Sequence, residues 1–377
     1  MKLIRLKTIA RKEFLQILRD PRSLALAVSM PVFLLLLFGY ALTLDVDRIP
    51  TVVYDQERSP RSRDLIDRFL SSRYFQLEAA VENYGRLQEM LDDGRALMGL
   101  VIPANFSRDL ELDRETTIQV LMDGTDANTA TIALGYANAI TLLYSQDLMQ
   151  EKMIRLGVGK ISPPIELRIR IWFNPDLESK NFIVPGLIAI IMSILAAILT
   201  SGTIAREWER GSMEQLISTP LRKWELILGK LIPYFLIGLI DLALSVAMGR
   251  YLFGVPLRGS GFLLFSLASF FMLGAICQGI LVSIVTKNQL LSSQISIILS
   301  YLPTFILSGF IYPIHNMPKF IQFLTYIVPG RYVVTILKGI YSKGIGLEIL
   351  WAEALLLALY AGGMTLWAHR RFQKRIG

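Results

Sequence analysis

The sequence predicts an α-helical polytopic membrane protein with six transmembrane helices plus a re-entrant segment, and with an α/β extracytoplasmic domain inserted between helices 1 and 2. First, 53% of the 377 residues are hydrophobic and 19% are charged, whereas soluble domains carry about 25% charged residues. Second, several apolar runs reach the roughly 20 residues that a bilayer-spanning helix requires. Third, charge is segregated, because residues 45–178 carry a net charge of −7 and the remainder carries +15.

The amino-terminal region predicts the orientation of the chain. Residues 1–23 are basic, and apolar residues such as Leu6, Ala10 and Ile17 share one helical face, which predicts an amphipathic helix on the cytoplasmic membrane surface. A plain solvated basic extension is the alternative. The charge-free run 24–44 is predicted as the first transmembrane helix, uncleaved because it is longer than a signal-peptide core. Since basic flanks stay in the cytoplasm, the amino terminus is predicted to be cytoplasmic and residues 45–178 extracytoplasmic.

Residues 179–368 contain the other five predicted transmembrane helices, at about 182–204, 229–250, 262–285, 289–312 and 347–368. Residues 313–342 are predicted as a re-entrant segment, because Pro329, Gly330 and Arg331 interrupt their apolar run. Broken backbone at membrane depth is tolerated only beside protein or a water-filled cavity, so this segment is expected to line one of them. Six spans also keep the basic tail, residues 369–377, in the cytoplasm.

Residues 45–178 have the composition of a small soluble domain, with apolar runs separated by charged stretches. Alternating strand and helix patterns predict an α/β fold. Strands are predicted at 51–54, 75–81, 96–102, 116–122 and 165–173, and helices at 61–70, 84–91 and 127–156.

Composition and motifs exclude several functions. The basic residues cluster beside apolar spans, where they set orientation and meet anionic lipid, so nucleic-acid binding is not expected. One cysteine and two distant histidines leave no intrachain disulfide and no His/Cys metal site. No nucleophile–base pattern identifies catalytic residues, and no G-x-x-x-x-G-K-[ST] loop binds a nucleotide. We expect no catalytic site and no cofactor in this chain.

A charged loop, residues 205–228, separates the second and third predicted spans on the cytoplasmic side. Gly211 and Ser212 resemble a helix break and cap, and a short helix is predicted to follow until Pro220 ends it. Met213, Leu216 and Ile217 would form one apolar ridge on this helix. The ridge suits either a connector resting on the lipid surface or a knob that fits a groove on a soluble partner.

Three blocks of sequence carry a resemblance to a known family. Residues 206–220 read REWERGSMEQLISTP, residues 307–318 read LSGFIYPIHNMP, and the chain before the first span contains RKE at 11–13 and RDPR at 19–22. Together they resemble the ABC-2 type transporter permeases, and the large domain after the first span is similar to the multidrug-exporter branch. One departure is Lys338-Gly339-Ile340, which stands where many members have Arg-x-Ile, so no role is assigned to Lys338.

The resemblance implies a coupling helix that binds a separate ABC ATPase subunit, where ATP and Mg would be bound. Two permease subunits, identical or different, would pair with two ATPase subunits, and a periplasmic adaptor and membrane lipid are further expected partners. The implied ATPase-binding residues are Arg206, Glu207, Glu209, Arg210, Gly211, Ser212, Met213, Glu214, Leu216, Ile217 and Pro220. Arg11, Glu13 and Phe14 on the amino-terminal helix are secondary candidates for the same contact.

The substrate path is expected between paired subunits, where polar side chains inside the spans are the candidates because each is costly in lipid. Asp241 is the first candidate, either for binding a cationic substrate or for relaying a proton, and the alternative is a structural hydrogen bond. Gln278, Gln294 and Ser300 are weaker candidates, since neutral polar side chains also join helices.

The resemblance implies an ATP-driven exporter of hydrophobic or amphipathic, drug-like compounds in a bacterial inner membrane. Export of lipid, polysaccharide or sodium ions remains an alternative within the transporters. A membrane receptor or a lipid-modifying enzyme is a further alternative, although neither a cytoplasmic effector domain nor an acid/base constellation is visible in the sequence.

Overall fold

The computed structural model describes residues 3–41, 46–157, 170, 172–175 and 178–372. The chain forms two compact units: one combines Met1–Thr43 with Arg170–Gly377, and the other is Leu44–Ile169. The first unit is helical and apolar, and the second contains a small sheet. The chain is therefore a mostly helical polytopic membrane protein, as the sequence predicts.

The helical unit begins with an amphipathic helix, α1 (Leu3–Arg19), followed after Asp20 by an apolar helix, α2 (Pro21–Ala41). Its remaining long helices are α7 (Lys180–Glu209), α9 (Lys223–Tyr251), α10 (Gly261–Thr286), α11 (Gln289–Leu307) and α14 (Leu347–Arg371). The short helices are α8 (Ser212–Ser218), α12 (Lys319–Thr325) and α13 (Pro329–Lys338), the last followed by a π-helical turn over Gly339–Lys343.

Five of the described helices, α7, α9, α10, α11 and α14, are long and apolar enough to cross a membrane. They coincide with the five spans predicted after residue 178. The predicted span 24–44 falls on α2, and its last residues, 42–44, lie outside the described residues. The apolar stretch that the structure describes there, Ala27–Tyr40, is shorter than a bilayer span. The first span therefore stays a prediction.

The predicted re-entrant segment contains a sharp break. Helices α12 and α13, with the π-helical turn, are bent by 83° relative to each other across residues 326–328. Pro329 stands at the first position of α13, where its fixed φ and missing N–H are tolerated. The break therefore lies where the proline predicts it, and the re-entrant course of the segment stays a prediction.

Helix α7 forms the centre of the helical unit. Nearly every residue from Ile183 to Ala205 is buried, and the helix is among the most apolar in the chain. A helix that is apolar on all sides is expected inside a bundle rather than at its surface. Close packing depends on Gly186, because a Cβ added there would lie 2.1 Å from the Phe310 ring.

The second unit is an α/β fold. Its strands are β1 (Ile49–Asp55), β2 (Phe75–Ala80), β3 (Met98–Ile102) and β4 (Gln119–Met122), and its helices are α3 (Pro60–Leu70), α4 (Tyr84–Asp92), α5 (Phe106–Glu111) and α6 (Ala127–Arg155). The strand order is β2-β1-β3-β4, parallel except for β4. Four predicted strands and three predicted helices are thus present. The fifth predicted strand, 165–173, lies mostly outside the described residues.

The sheet is covered on both faces, which explains its apolar strands. Adjacent residues point to opposite faces, so Val53 packs with Phe69 and Ala137 of α3 and α6, while Val52 packs with Leu87 of α4.

A hydrogen-bonded carboxylate joins two loops of this unit. Glu57 accepts hydrogen bonds from the hydroxyls of Ser59 and Ser107, at 2.6 and 2.7 Å, and from the backbone N–H of Ser107 at 2.8 Å. Burial by itself raises the pKa of Glu57, but these hydrogen bonds lower it below its ordinary value. The ionised carboxylate therefore stabilises this unit.

Candidate functional site

The predicted coupling helix is α8, which is seven residues long. Gly211 precedes it with φ of +69°, a left-handed conformation that glycine adopts without strain, and Pro220 follows closely. The Met213 side chain is fully buried in the core of the chain, and Leu216 and Ile217 pack half-buried against that core. The apolar ridge predicted to contact a partner therefore faces the rest of this chain, and in this conformation Met213 offers no surface to another subunit.

The opposite face of α8 is polar and exposed. Its members are Glu214, Gln215 and Ser218, with Arg210, Gly211, Thr219 and Pro220 exposed at the two ends of the helix and Ser212 half-buried. A partner that reaches α8 would therefore meet hydrogen-bonding and charged groups, not an apolar knob.

A buried ionic cluster lies beside α8 and joins three helices. Lys230 of α9 is 1% exposed, and its Nζ lies 2.7 Å from Glu13 Oε1 of α1 and 3.0 Å from Glu207 Oε1 of α7. The same ammonium donates a hydrogen bond to the Thr203 carbonyl at 3.1 Å. Lys12, half-exposed, approaches Glu207 Oε1 at 3.0 Å from the outer side. Two carboxylates thus share two ammonium groups, which balances their charge.

Helix α1 is positioned by this cluster and by packing against α9. Gly229 of α9 allows the approach, since a Cβ there would lie 2.6 Å from a side-chain carbon of Ile9. The structure therefore uses Glu13 for an internal ion pair, contrary to its expected role as a partner contact. Arg11 and Phe14, the other two secondary candidates, are exposed on α1.

Residues 205–228 are called the coupling loop below, after the predicted coupling helix that they contain. Most of the remaining charges of this loop have partners within the chain. Arg206 donates from Nε to Gln289 Oε1 at 3.2 Å and lies 3.8 Å from Asp20, and Glu209 accepts from the backbone N–H of Gln289 at 2.7 Å. Glu207 is 5% exposed. Of the charged residues predicted to bind the ATPase, Arg206, Glu207 and Glu209 thus have partners within the chain. Arg210 and Glu214 project from the surface.

The far end of the loop is also anchored to α1. The Arg5 guanidinium donates to the Pro220 carbonyl and lies 3.9 Å from Glu225. Glu225 in turn accepts from the backbone N–H of Arg222 at 3.0 Å, which closes a capping box on α9. Helix α1 therefore contacts the chain on both sides of α8, through Lys12 at Glu207 and through Arg5 at Pro220.

A cavity of about 260 Å³ lies at the break between α12 and α13. Gln278 and Ser300, two of the four predicted substrate-path residues, line it together with Ile327, Val328 and Pro329 of the break. The broken segment thus lines a partly open cavity, at the place where the sequence predicts the interruption.

The polar groups of this cavity are few, and two of them are hydrogen-bonded to each other. Tyr360 of α14 donates from its hydroxyl to Gln278 Oε1 at 2.5 Å. The buried Ser300 hydroxyl has no hydrogen-bond partner within the described residues. Apolar walls come from Phe271, Leu299 and Met364. Apolar walls with a small number of oriented polar groups are typical of sites for small, mostly apolar molecules.

The other two predicted path residues lie outside this cavity. Asp241 is 2% exposed on α9, and its Oδ2 has no hydrogen-bond partner among the described residues, so the structural hydrogen bond considered as an alternative is absent for that atom. Gln294 is exposed on the outer face of α11. The structure therefore brings together only Gln278 and Ser300.

Sequence reasoning missed Lys230 and Tyr360. The signal for Lys230 was a basic residue inside the predicted span 229–250, together with an acidic residue, Glu13, among apolar neighbours on α1. Tyr360 carried no such signal, because an aromatic residue in an apolar span is ordinary. In the described part of the chain, no three His, Cys, Asp or Glu side chains come close enough to hold a metal ion.

Comparison with known proteins agrees with this architecture. The ABC-2 family transporter protein profile matches residues 21–368. The probable multidrug ABC transporter permease YbhS of Escherichia coli is 36% identical over 342 residues, which cover 90% of this chain and 89% of that protein. The related permease YbhR of the same bacterium is 31% identical over 99% of both chains. The ABC transporter G family member 20 of Dictyostelium discoideum is 22% identical over 90% of this chain and 46% of its own length.

The motif at 206–220 contains the last turn of α7 and the short helix α8, and the motif at 307–318 leads into the broken segment that lines the cavity. Both motifs lie within the matched region, and two relatives above 30% identity cover nearly all of the chain. The resemblance seen in the sequence is confirmed, and the chain belongs to the ABC-2 family of transporter permeases.

Proposed function

We propose that this chain is the transmembrane subunit of an ATP-driven exporter that moves hydrophobic or amphipathic compounds out of the cytoplasm or the inner leaflet. The observation that carries this proposal is α8, a short helix anchored inside the permease and exposed on its polar face. Family membership supports a separate ATPase as its partner. Relatives named as multidrug permeases support a drug-like cargo.

The anchoring of α8 suits it to transmit force. Its apolar side is held by the core through Met213, and the adjacent cluster around Lys230 ties α1, α7 and α9 together. A push on the exposed face therefore moves the ends of α7 and α9 with α8, instead of bending the short helix alone. Glu214, Gln215 and Ser218 are the contacts that we propose for the ATPase, with Arg210 and Pro220 beside them.

The cavity at the broken segment is the proposed contact for cargo. Its volume of about 260 Å³ is slightly below the range of roughly 300–1,000 Å³ typical of drug-sized sites, so it accommodates one end of a compound. Gln278 and Tyr360 offer hydrogen bonds there, and the break in the helix gives the segment a joint at which to move.

The assembly that we propose has two permease subunits and two ATPase subunits, with ATP and Mg on the ATPase. The chain is placed in a bacterial inner membrane with both termini in the cytoplasm and with the α/β unit outside, where an adaptor protein could bind. These placements rest on charge distribution and on family, together with the inner-membrane designation of a 29% identical E. coli permease, YhhJ.

The coupling test is vanadate-sensitive ATPase activity of the permease reconstituted with its ATPase partner in lipid vesicles. Gln215→Arg and Glu214→Arg should lower cargo-stimulated activity at least tenfold without changing the melting temperature, because both side chains are exposed. Glu111→Arg, an exposed charge reversal in the α/β unit, is the control and should leave activity unchanged. Full activity in both α8 variants would refute the proposed contact.

The cargo test uses two substitutions on the same helix. Ser300→Leu fills the cavity and should weaken stimulation by lipophilic cations, whereas Gln294→Leu changes the exposed face and should not. Vesicle uptake of the same compounds measures transport directly. Equal effects of the two variants would exclude this cavity as the cargo site while leaving the coupling proposal intact.

A further inference from the structure

An ammonium group lies against two aromatic rings at the start of α7. Lys338 of α13 places its Nζ 3.3 Å from the centre of the Phe182 ring and 5.6 Å from the centre of the Phe310 ring. The same Nζ donates a hydrogen bond to the Gly309 carbonyl at 3.1 Å. Phe182, Gly309 and Phe310 are called the aromatic cage below.

The cage holds this ammonium without a counter-ion. In the part of the chain that the structure describes, no carboxylate lies within ion-pair distance of Lys338. The negative faces of the two rings and the carbonyl oxygen therefore take the place of an anion. Aromatic faces bind quaternary ammonium ligands in other proteins by the same attraction. The chemistry of the cage thus suits an ammonium ion from any source.

The cage and its ammonium belong to different parts of the helical unit. Phe182 lies in the first turn of α7, and Phe310 follows α11. Phe310 packs closely on α7, because a Cβ added at Gly186 would lie 2.1 Å from its ring. Lys338 ends α13, which is bent by 83° from α12 at the break. A movement of α13 relative to α7 would therefore withdraw the ammonium and leave the cage in place.

The cage is open on one side. The Phe182 side chain is 41% exposed and Lys338 is half-buried, whereas Phe310 is buried and forms the inner wall. A ligand that replaces the Lys338 ammonium would therefore approach over the Phe182 ring, and its apolar part would stay beside that ring.

We propose that the aromatic cage is a binding site for the ammonium group of an organic cation, and that Lys338 occupies it as an internal competitor. The assignment rests on the proposed export function only in taking such a cation as cargo. The cation binds when Lys338 leaves the cage, so cargo binding and the position of the broken segment are coupled. A neutral compound of the same shape gains nothing from this attraction, so the cage selects cations among apolar compounds.

The first test follows Lys338 in the parent chain, purified in dodecyl maltoside without ATP or ATPase. Acetylation by N-hydroxysuccinimidyl acetate, measured by peptide mass spectrometry, should label Lys338 about threefold faster with an excess of benzyltrimethylammonium, because the displaced amine becomes accessible. Lys343, exposed on the same segment, is the internal reference and should not change. Neopentylbenzene, the neutral isostere of the cation, should change neither lysine. Unchanged labelling of Lys338 with the cation, or equal effects of the two compounds, would overturn the proposal.

The second test removes the competitor. Lys338→Ala should bind radiolabelled benzyltrimethylammonium about threefold more tightly than the parent chain in equilibrium dialysis, because the cage no longer has to be vacated. Lys343→Ala is the matched control, since it removes the same charge from an exposed position, and it should leave the affinity unchanged. Adding Phe182→Leu to Lys338→Ala should cancel the gain, because it removes the exposed ring.

Three further outcomes would overturn the proposal. An equal gain in Lys343→Ala would indicate a general relief of positive charge, and a gain that survives Phe182→Leu would place the cation elsewhere. Stronger release of Lys338 by a short-chain phosphatidylcholine than by benzyltrimethylammonium, at equal concentration, would assign the cage to a lipid headgroup. Neither measurement uses ATP, so their failure would leave the proposed coupling through α8, which is tested by vanadate-sensitive activity, intact.

Discussion

The buried cluster around Lys230 makes a quantitative prediction about stability. Replacing Lys230 by Met preserves the length of the side chain but leaves Glu13 and Glu207, 2% and 5% exposed, without the ammonium that they share. Removing one member of a buried ion pair costs about 3–5 kcal/mol, because the remaining charge is uncompensated. Lys12 reaches only Glu207 and is half-exposed, so it compensates a small part of this loss.

The same reasoning predicts the effect of removing the whole cluster. In the triple variant Glu13→Leu, Glu207→Leu and Lys230→Met, no buried charge remains and three apolar side chains of similar size fill the space. Such replacements are neutral or stabilising in other proteins, so we expect stability within about 2 kcal/mol of the parent chain. The single variant is thus predicted to be less stable than the triple variant.

The assay uses the one cysteine of the chain. Cys277 is fully buried, so a thiol-reactive fluorogenic dye reports unfolding of the helical unit during heating. A loss of 3–5 kcal/mol should lower the melting temperature by about 5–10 °C. Lys7→Met, an exposed lysine on α1, is the control and should change it by about 1 °C or less.

Two results would refute this reasoning. If Lys230→Met melts with the parent chain, the buried ion pairs contribute nothing to stability. If the triple variant melts as low as the single variant, the loss arises from altered packing and not from uncompensated charge.

Three further predictions concern separate parts of the chain. Gly274→Ala should lower stability by about 1–3 kcal/mol in the same dye assay, because the new Cβ would lie 2.2 Å from the Tyr360 ring; Gly362→Ala meets no atom within 4 Å and should be neutral or slightly stabilising. Asp241→Leu should leave the melting temperature unchanged or raise it, because it removes a buried carboxyl oxygen without a described partner. A large loss of stability would show that Asp241 has a structural role. Loss of transport with intact stability would show a functional role. Glu57→Gln should reduce protection of the α/β unit from hydrogen exchange at pH 7, with the difference from the parent shrinking as pH falls below about 4.5. This direction follows from the lowered pKa of Glu57 in the folded protein. The carboxylate stabilises the unit fully above the ordinary pKa of a glutamate, and this stabilisation is lost as pH falls through the lowered pKa. A difference between variant and parent that persists at pH 3 would contradict the prediction.

Much of the architecture followed from local patterns. The long helices after residue 178 coincide with apolar runs, because only a helix satisfies its own backbone hydrogen bonds in lipid. The break before Pro329 followed from the chemistry of proline. Four strands and three helices of the α/β unit followed from the alternation of apolar and charged segments, since that alternation reflects which side of each element is buried.

The candidate site was less accessible to such reasoning. The sequence placed Met213, Leu216 and Ile217 on one ridge, and this ridge exists, but it packs against the permease. A pattern of apolar residues identifies a face that will be buried without identifying what buries it. The contacts that we propose for the ATPase therefore lie on the polar face around Glu214 and Gln215.

The family, the long apolar helices after residue 178 and the short helix before Pro220 could be predicted from the order of residues alone, because each depends on side chains near one another along the chain. The pairing of Lys230 with Glu13 and Glu207 and the meeting of Gln278 with Ser300 and Tyr360 depend on helices separated by many residues in sequence. Only the packing of those helices decides which polar side chains meet, since in an apolar environment each must find its partner across a helix–helix contact.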